Sequence, residues 1–272
     1  MAAKLKPFAF LTPQNRTLLR QLVITDFKLR YQGSILGYVW SLLKPLILFL
    51  VLYVIFAYVI PTGKDVPHFP AYLLLGIVLW TFFAEATNMG MGSIVGRGDL
   101  IRKVKISKPS IVIASTLSAG VNLCLNMIVV LFFMLINGAD VQSSAIFFPL
   151  LLIELIIMAL AISFFLSALY VRFRDFAPIW EIVLQVMFYA TPIIYPLSIV
   201  HSHKLLTILA LNPLAQILQD ARYMLITPAT IVTHNILPLG LSIGIPAAFI
   251  ALLTVSSVLF FKKSAKQFAE NL

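Results

Sequence analysis

The stretch "LGYVWSLLKPLILFLVLYVIFAYVI", residues 36–60, is apolar for longer than a water-soluble core requires, and five more runs of that kind follow it. A helix that crosses a bilayer needs roughly 20 mainly apolar residues at about 1.5 Å of rise each. The runs that meet this requirement lie at about 35–60, 71–94, 109–136, 145–171, 178–198 and 238–261. Hydrophobic residues make up 61% of the 272 and charged ones 11%. A soluble domain is typically about half apolar and a quarter charged, so this chain has more apolar surface than one soluble core can hide. The expected fold is an all-α polytopic membrane protein with six transmembrane helices. Residues 34–272 form its single transmembrane domain and residues 1–33 a cytoplasmic arm.

Residues 199–237, between the fifth and sixth runs, are apolar but broken. The two pieces at about 203–211 and 214–226 are too short to cross, which predicts interfacial or re-entrant helices. Pro192 and Pro196 just ahead of this segment and Pro213 within it prevent one continuous helix.

The placement of Lys and Arg sets the orientation. The N-terminal arm, the loop near 97–108, the loop near 172–175 and the C-terminal tail hold 17 of the 20 basic residues, with Lys44 counted in the first flank. Only Lys64, Lys204 and Arg222 lie on the other side. Both termini are therefore expected in the cytoplasm and the broken segment outside. The net charge of +10 flanks membrane spans at four places, which favours a membrane surface over nucleic acid.

Two of the basic flanks carry more than topology needs. The arm segment "NRTLLRQLVITDFKLRY" puts Leu18, Leu19, Leu22, Val23 and Phe27 at helical spacing opposite Arg16, Arg20, Lys28 and Arg30, the pattern of an amphipathic helix in the interface. "GRGDLIRKVKISKPS" interleaves Arg97, Arg102, Lys103, Lys105 and Lys108 with apolar residues, as a short helix docking in a partner's cleft would. In "VRFRDFAPIWE", Asp175 is placed to pair with Arg172 or Arg174 or to cap the next helix.

No catalytic constellation is present. The four His residues have no carboxylate cluster beside them, GxxxxGK[ST] is absent, and the lone Cys124 reads as a small core residue. Glu85 and Glu154 fall within apolar runs that contain no basic partner. An ion-gradient-driven carrier would use such acids, though a structural hydrogen-bonding role suits them better. A lipid-modifying enzyme would need a polar catalytic cluster.

The blocks "FKLRYQGSILGYVWSLLKPL", "RFRDFAPIWEIVLQVMFYATPIIYP" and "LNPLAQILQDAR" resemble the permease subunits of ABC-2 type transporters, above all the O-antigen polysaccharide and teichoic acid exporters. The resemblance extends over nearly the whole chain. It implies a homodimer of this chain with two copies of a separate P-loop ATPase, which would supply the ATP and Mg site that this chain lacks. The cargo would be a lipid-linked glycan or polyol-phosphate polymer, with other lipid or drug cargo as the alternative. It further implies that the arm at 15–31 and the loop at 97–108 ride on the ATPases. Arg97, Asp99, Arg102, Lys103 and Lys105 would carry the coupling, with Arg172, Arg174 and Asp175 in support. Aromatic rings bind the C–H faces of sugars without a fixed hydrogen-bond register. Tyr38, Trp40, Tyr53 and Tyr58 on the first span and Phe188, Tyr189 and Tyr195 on the fifth are thus candidate channel linings, with belts and core packing as the plain alternative. Lys44 and Pro45 read either as a hinge in the first span or as its cytoplasmic boundary, with Pro45 in the first turn.

Overall fold

The computed structural model describes residues 13–31, 33, 37, 39–60, 66–103 and 106–268, and every regular element among them is helical. In chain order these are α1 (Pro13–Tyr31), α2 (Val39–Val54, prolonged by one wide turn over Ile55–Val59), α3 (Phe69–Gly92), α4 (Gly98–Lys103), α5 (Lys108–Asn137), α6 (Phe148–Arg172), α7 (Phe176–Ala190), α8 (His203–Ala210), α9 (Pro213–Leu225) and α10 (Leu239–Ser264). By length and composition five helices are able to cross a membrane, over Val39–Val59, Phe69–Gly92, Lys108–Asn137, Ser143–Arg172 and Gly240–Ser264. Each falls on one of the predicted runs.

The run expected at 178–198 behaves differently. α7 has 15 residues, about 22 Å of helix against a hydrocarbon core of about 30 Å. It stops at Ala190 because Thr191 precedes Pro192 and adopts extended backbone (φ −99°, ψ 141°), the region a residue before proline favours. The chain then turns, and α8 and α9 form where the two short apolar pieces predict them.

α3 is the central helix, buried without a gap from Ala71 to Trp80. The helices around it turn large apolar side chains outward, such as Leu135 at 83% and Leu252 at 71% exposure. Water would penalise that surface and hydrocarbon does not, so the surroundings of the bundle are lipid. Cys124 belongs to this outward side. It is exposed on α5 and shares a stripe with Ile128, Leu131 and Leu135, so the expectation of a core cysteine does not hold. Small residues set the closest helix approach. A Cβ added at Gly90 of α3 would come within 2.3 Å of Ser163 on α6, and the Ser163 hydroxyl donates to the Ala86 carbonyl at 3.2 Å.

A second, smaller core gathers at the basic end of the bundle. Leu22 of α1, Ile111 and Val112 of α5, Phe164 and Val171 of α6, and Phe261 of α10 meet there with Phe268 from the turn after α10. Leu18 and Val23 of α1 pack on the same cluster. The arm helix thus rests part of its apolar side on the protein itself, not on lipid alone.

Candidate functional site

A cavity of about 940 Å³ opens between α2, α3, α5 and α7, with Arg30 of α1 at its edge. Trp40, Trp80, Phe188 and Tyr189 supply its aromatic surface, and Lys44 of α2, Asn88 of α3 and Gln185 of α7 add exposed polar groups. Of the seven aromatic residues expected along a channel, Trp40, Phe188 and Tyr189 come together here, beside the Lys44–Pro45 pair. Tyr53 packs instead among Phe49, Tyr58 and Phe69, with ring centroids 5.7, 6.2 and 6.4 Å away. Tyr195 lies in the turn after α7, where burial raises the pKa of its phenol. Tyr38 lies outside the described residues.

One wall of the cavity is a chain of hydrogen bonds. Arg30 pairs with Glu85 of α3 and reaches the Met89 sulfur. Asn122 of α5 donates to Glu85 Oε1 at 2.9 Å. Asn126, one turn further on, donates to the Asn122 carbonyl at 2.8 Å and to the Ser41 carbonyl of α2 at 3.3 Å. Ser41 lies four residues before Pro45, so it is the carbonyl that a residue with an amide hydrogen at position 45 would serve. Because α2 begins at Val39, Pro45 is inside the helix and not in its first turn. A side chain from α5 thus takes the place of the helix bond that the proline lacks. The basic partner of Glu85 comes from the arm, which is why the apolar runs alone do not reveal it.

At the basic end, Arg97 pairs with Asp26 of α1, and Ser115 of α5 donates to the same carboxylate at 3.4 Å. Arg97 therefore ties the arm to the turn that leads into α4 and does not project outward. Asp99, Arg102 and Lys103 are exposed on α4, and Lys105 lies outside the described residues. Arg172 and Arg174 are exposed and lie over the rings of Phe173 (5.1 Å) and Tyr170 (5.3 Å). Asp175 is exposed before α7, with no capping bond and no ion pair among the described residues, so neither role expected of it is seen. Glu154 is partly buried on α6 and takes no part in the cavity lining.

Sequence reasoning counted Arg222 only as a stray external charge. It is 0% exposed. Its Nε donates to the Tyr72 carbonyl at 3.2 Å, Nη1 to Pro192 at 2.6 Å and Nη2 to Ile193 at 2.5 Å, with the guanidinium 3.8 Å from the Tyr72 ring centroid. One side chain thereby ties α9 to α3 and to the turn after α7. The space for it exists because residue 76 is glycine, where a Cβ would sit 2.3 Å from Arg222 Nη2. The missed residues did leave signals. Asn122 and Asn126 are polar at i, i+4 in an apolar helix, continuing a stripe with Ser115 and Ser118, and an arginine in an otherwise apolar external helix needs a partner.

Comparison with known proteins extends this picture. The chain is 30% identical to the O-antigen export system permease protein RfbA of Myxococcus xanthus over 264 residues, 95% of this chain and 96% of that one. It is 27% identical to the protein of the same name from Klebsiella pneumoniae, covering 92% of this chain and 94% of the relative. It is 22% identical to the polysialic acid transport protein KpsM of Escherichia coli over 86% of each. The ABC-2 type transporter family matches residues 17–226, from the arm helix through α9. With that span and these relatives, the chain belongs to the ABC-2 type transporter membrane family.

Proposed function

We propose that this chain is the membrane subunit of an ABC exporter that moves a lipid-linked polysaccharide, or a polymer of the teichoic acid type, out across the bacterial inner membrane. Two copies stand side by side, each driven by one copy of a separate P-loop ATPase, and both termini lie in the cytoplasm. The observation that carries this reading is a cavity lined by Trp40, Trp80, Phe188 and Tyr189 together with Lys44, Asn88 and Gln185. Polar side chains exposed at hydrocarbon depth are costly against lipid, and a second copy closing the open side would remove them from it. Sugar hydroxyls hydrogen-bond to amides, and sugar C–H faces lie on aromatic rings, so this lining suits a glycan chain that slides. The relatives bear names of O-antigen and polysialic acid transport, which supports the same cargo class. The exposed cations of α4 are placed to meet the ATPase, and the Arg97–Asp26 pair links the arm to the loop that carries them. The pairing of Glu85 with Arg30 speaks against an ion-carrying role for that acid.

The test is reconstitution into vesicles with and without a separate P-loop ATPase subunit that co-purifies with this chain. ATP-dependent polymer transfer is expected only with both present. Trp40→Ala together with Tyr189→Ala is expected to lower transfer at least tenfold while ATP hydrolysis persists. Vectorial transfer by this chain alone, driven by a pH gradient, would overturn the reading.

A further inference from the structure

Beside the basic end of the bundle lies a second hollow, of about 260 Å³, walled by α6, α10 and the turn that follows α10. It shares no residue with the transport cavity. The turn folds back because Phe268 buries its ring against Phe261, with centroids 5.4 Å apart, and Lys108 of α5 fastens it through the Ala265 carbonyl. Folding back leaves an apolar floor of Ala168, Val171, Phe260 and Phe268. Arg172 and Lys263 stand at the rim with Ser264 and Gln267, and Lys108 lies 5.4 Å from the Phe268 ring. Arg172 and Lys263 are exposed, and neither has a carboxylate partner among the described residues.

Cations at the ends of α6 and α10 suit the helix dipoles and the inward charge bias by themselves. That role would let them reach separately into water. Here two of them converge, with two uncharged hydrogen-bonding side chains, over an apolar floor. An apolar track leads to the same place. Leu252, Val255 and Leu259 follow one another on the exposed side of α10 at successive turns before Lys263, and Phe165 of α6 packs beside them on Phe260 at 5.3 Å. A track of that kind ending in paired cations matches an amphiphile with an acyl tail and an anionic head.

We propose that this hollow binds the phosphate-diester headgroup of an anionic glycerophospholipid, with Arg172 and Lys263 on the phosphate, Ser264 and Gln267 on the glycerol, and an acyl chain along α10. Paired cations between membrane helices at the cytoplasmic surface are suited to such headgroups. This assigns Arg172 to lipid and not to the ATPase. The leaflet follows from the orientation proposed above, whereas the binding itself does not depend on it.

The test places the full-length chain in nanodiscs of phosphatidylcholine doped with phosphatidylglycerol, and native mass spectrometry counts the phosphatidylglycerol that stays bound. Wild type is expected to retain it preferentially. Neutralising Arg172→Gln and Lys263→Gln is expected to lower the preference about fivefold for each cation removed. Arg172→Lys with Lys263→Arg is expected to keep it. Lys263→Glu, a single change at an exposed position, serves as the second variant and is expected to abolish the preference in a folded chain. Neutralising Lys262 and Lys266, exposed cations at the same end that do not line the hollow, removes the same charge and is expected to change little. An equal loss in that control would show diffuse surface charge and overturn the proposal. Displacement of the lipid by soluble glycerol 3-phosphate would show a small-anion site and overturn it as well. Unchanged lipid retention with lost ATPase association would return Arg172 to the ATPase.

Discussion

Asn126 of α5 donates its side-chain amide to the backbone carbonyl of Ser41, 3.3 Å away, and Ser41 is the residue whose helical partner would be the amide of Pro45. A proline inside a membrane helix is tolerated when a neighbouring helix supplies the missing donor. The same asparagine is linked through Asn122 and Glu85 to Arg30 of the arm. The arm and the proline of α2 are thus two ends of one hydrogen-bonded line along the cavity. Asn126→Ala is expected to lower stability by about 1 kcal/mol, the scale of an interhelical hydrogen bond in a membrane. Adding Pro45→Ala, which restores the amide donor within α2, is expected to recover much of that loss. Thermal unfolding in detergent of both single variants and the double variant measures the coupling, and strictly additive losses would show the two residues to be unconnected.

The Arg30–Glu85 pair is the only link of that line that carries charge. Glu85→Gln keeps an acceptor for Asn122 and removes the ionic hold on the arm. The expected result is faster proteolytic cleavage within residues 13–31 and less polymer moved per ATP hydrolysed. A cleavage rate equal to wild type would show that the arm is held by its apolar packing alone.

Most of the bundle was legible because hydrocarbon imposes one simple requirement, a run of apolar residues about 20 long, and five of the six runs obey it as helices. α7 was overextended because the run stays apolar past Pro192, while the backbone follows the proline and not the hydropathy. The site was legible where residue type carries the message. Trp40, Phe188, Tyr189 and Lys44 gather at the cavity, yet nothing local separates Tyr53 from Trp40, since the outcome depends on which neighbour packs against each ring. Cys124 was misplaced because its own type carries no message; the signal was its position opposite the buried polar stripe of Ser115, Ser118, Asn122 and Asn126 on the same helix. Glu85 was read as lacking a basic partner because Arg30 lies 55 residues away outside the apolar runs, and the partners of Arg222 are backbone carbonyls, which no side-chain pattern reveals.

Arg222 and Gly76 form a lock whose parts are separately indispensable. Gly76→Ala forces a Cβ to within 2.3 Å of the guanidinium, and Arg222→Ala takes the side-chain donor from the carbonyls of Tyr72, Pro192 and Ile193. A bond from a charged donor contributes about 1.5–3 kcal/mol, so either change is expected to cost several kcal/mol and to show as aggregated protein on gel filtration. Arg222→Lys in the Gly76→Ala background takes less room beside the new methyl and is expected to restore a folded fraction. A Gly76→Ala chain as stable as wild type would show that α9 is not locked in this way.

Asp220 of α9 gives the external segment a pH dependence whose sign is fixed by its surroundings. Burial raises its pKa, while the bond from Gln216 Nε2 at 3.1 Å and the charge of His234 act in the opposite direction without cancelling it. The folded state therefore holds this proton to higher pH than the unfolded chain does. Between about 4, the ordinary aspartate range, and the raised value, the folded state binds more protons, and stability falls as pH rises through that window. Above it the penalty is fully present, and below it absent. Asp220→Asn carries no such penalty and keeps an acceptor for Gln216. It is expected to unfold at a higher temperature than wild type at neutral pH, with the difference shrinking toward nothing as the pH drops below 4. Thermal midpoints of the two proteins across that range decide the matter, since a variant less stable than wild type at neutral pH would mean that the ionised carboxylate is held by a partner and not merely buried.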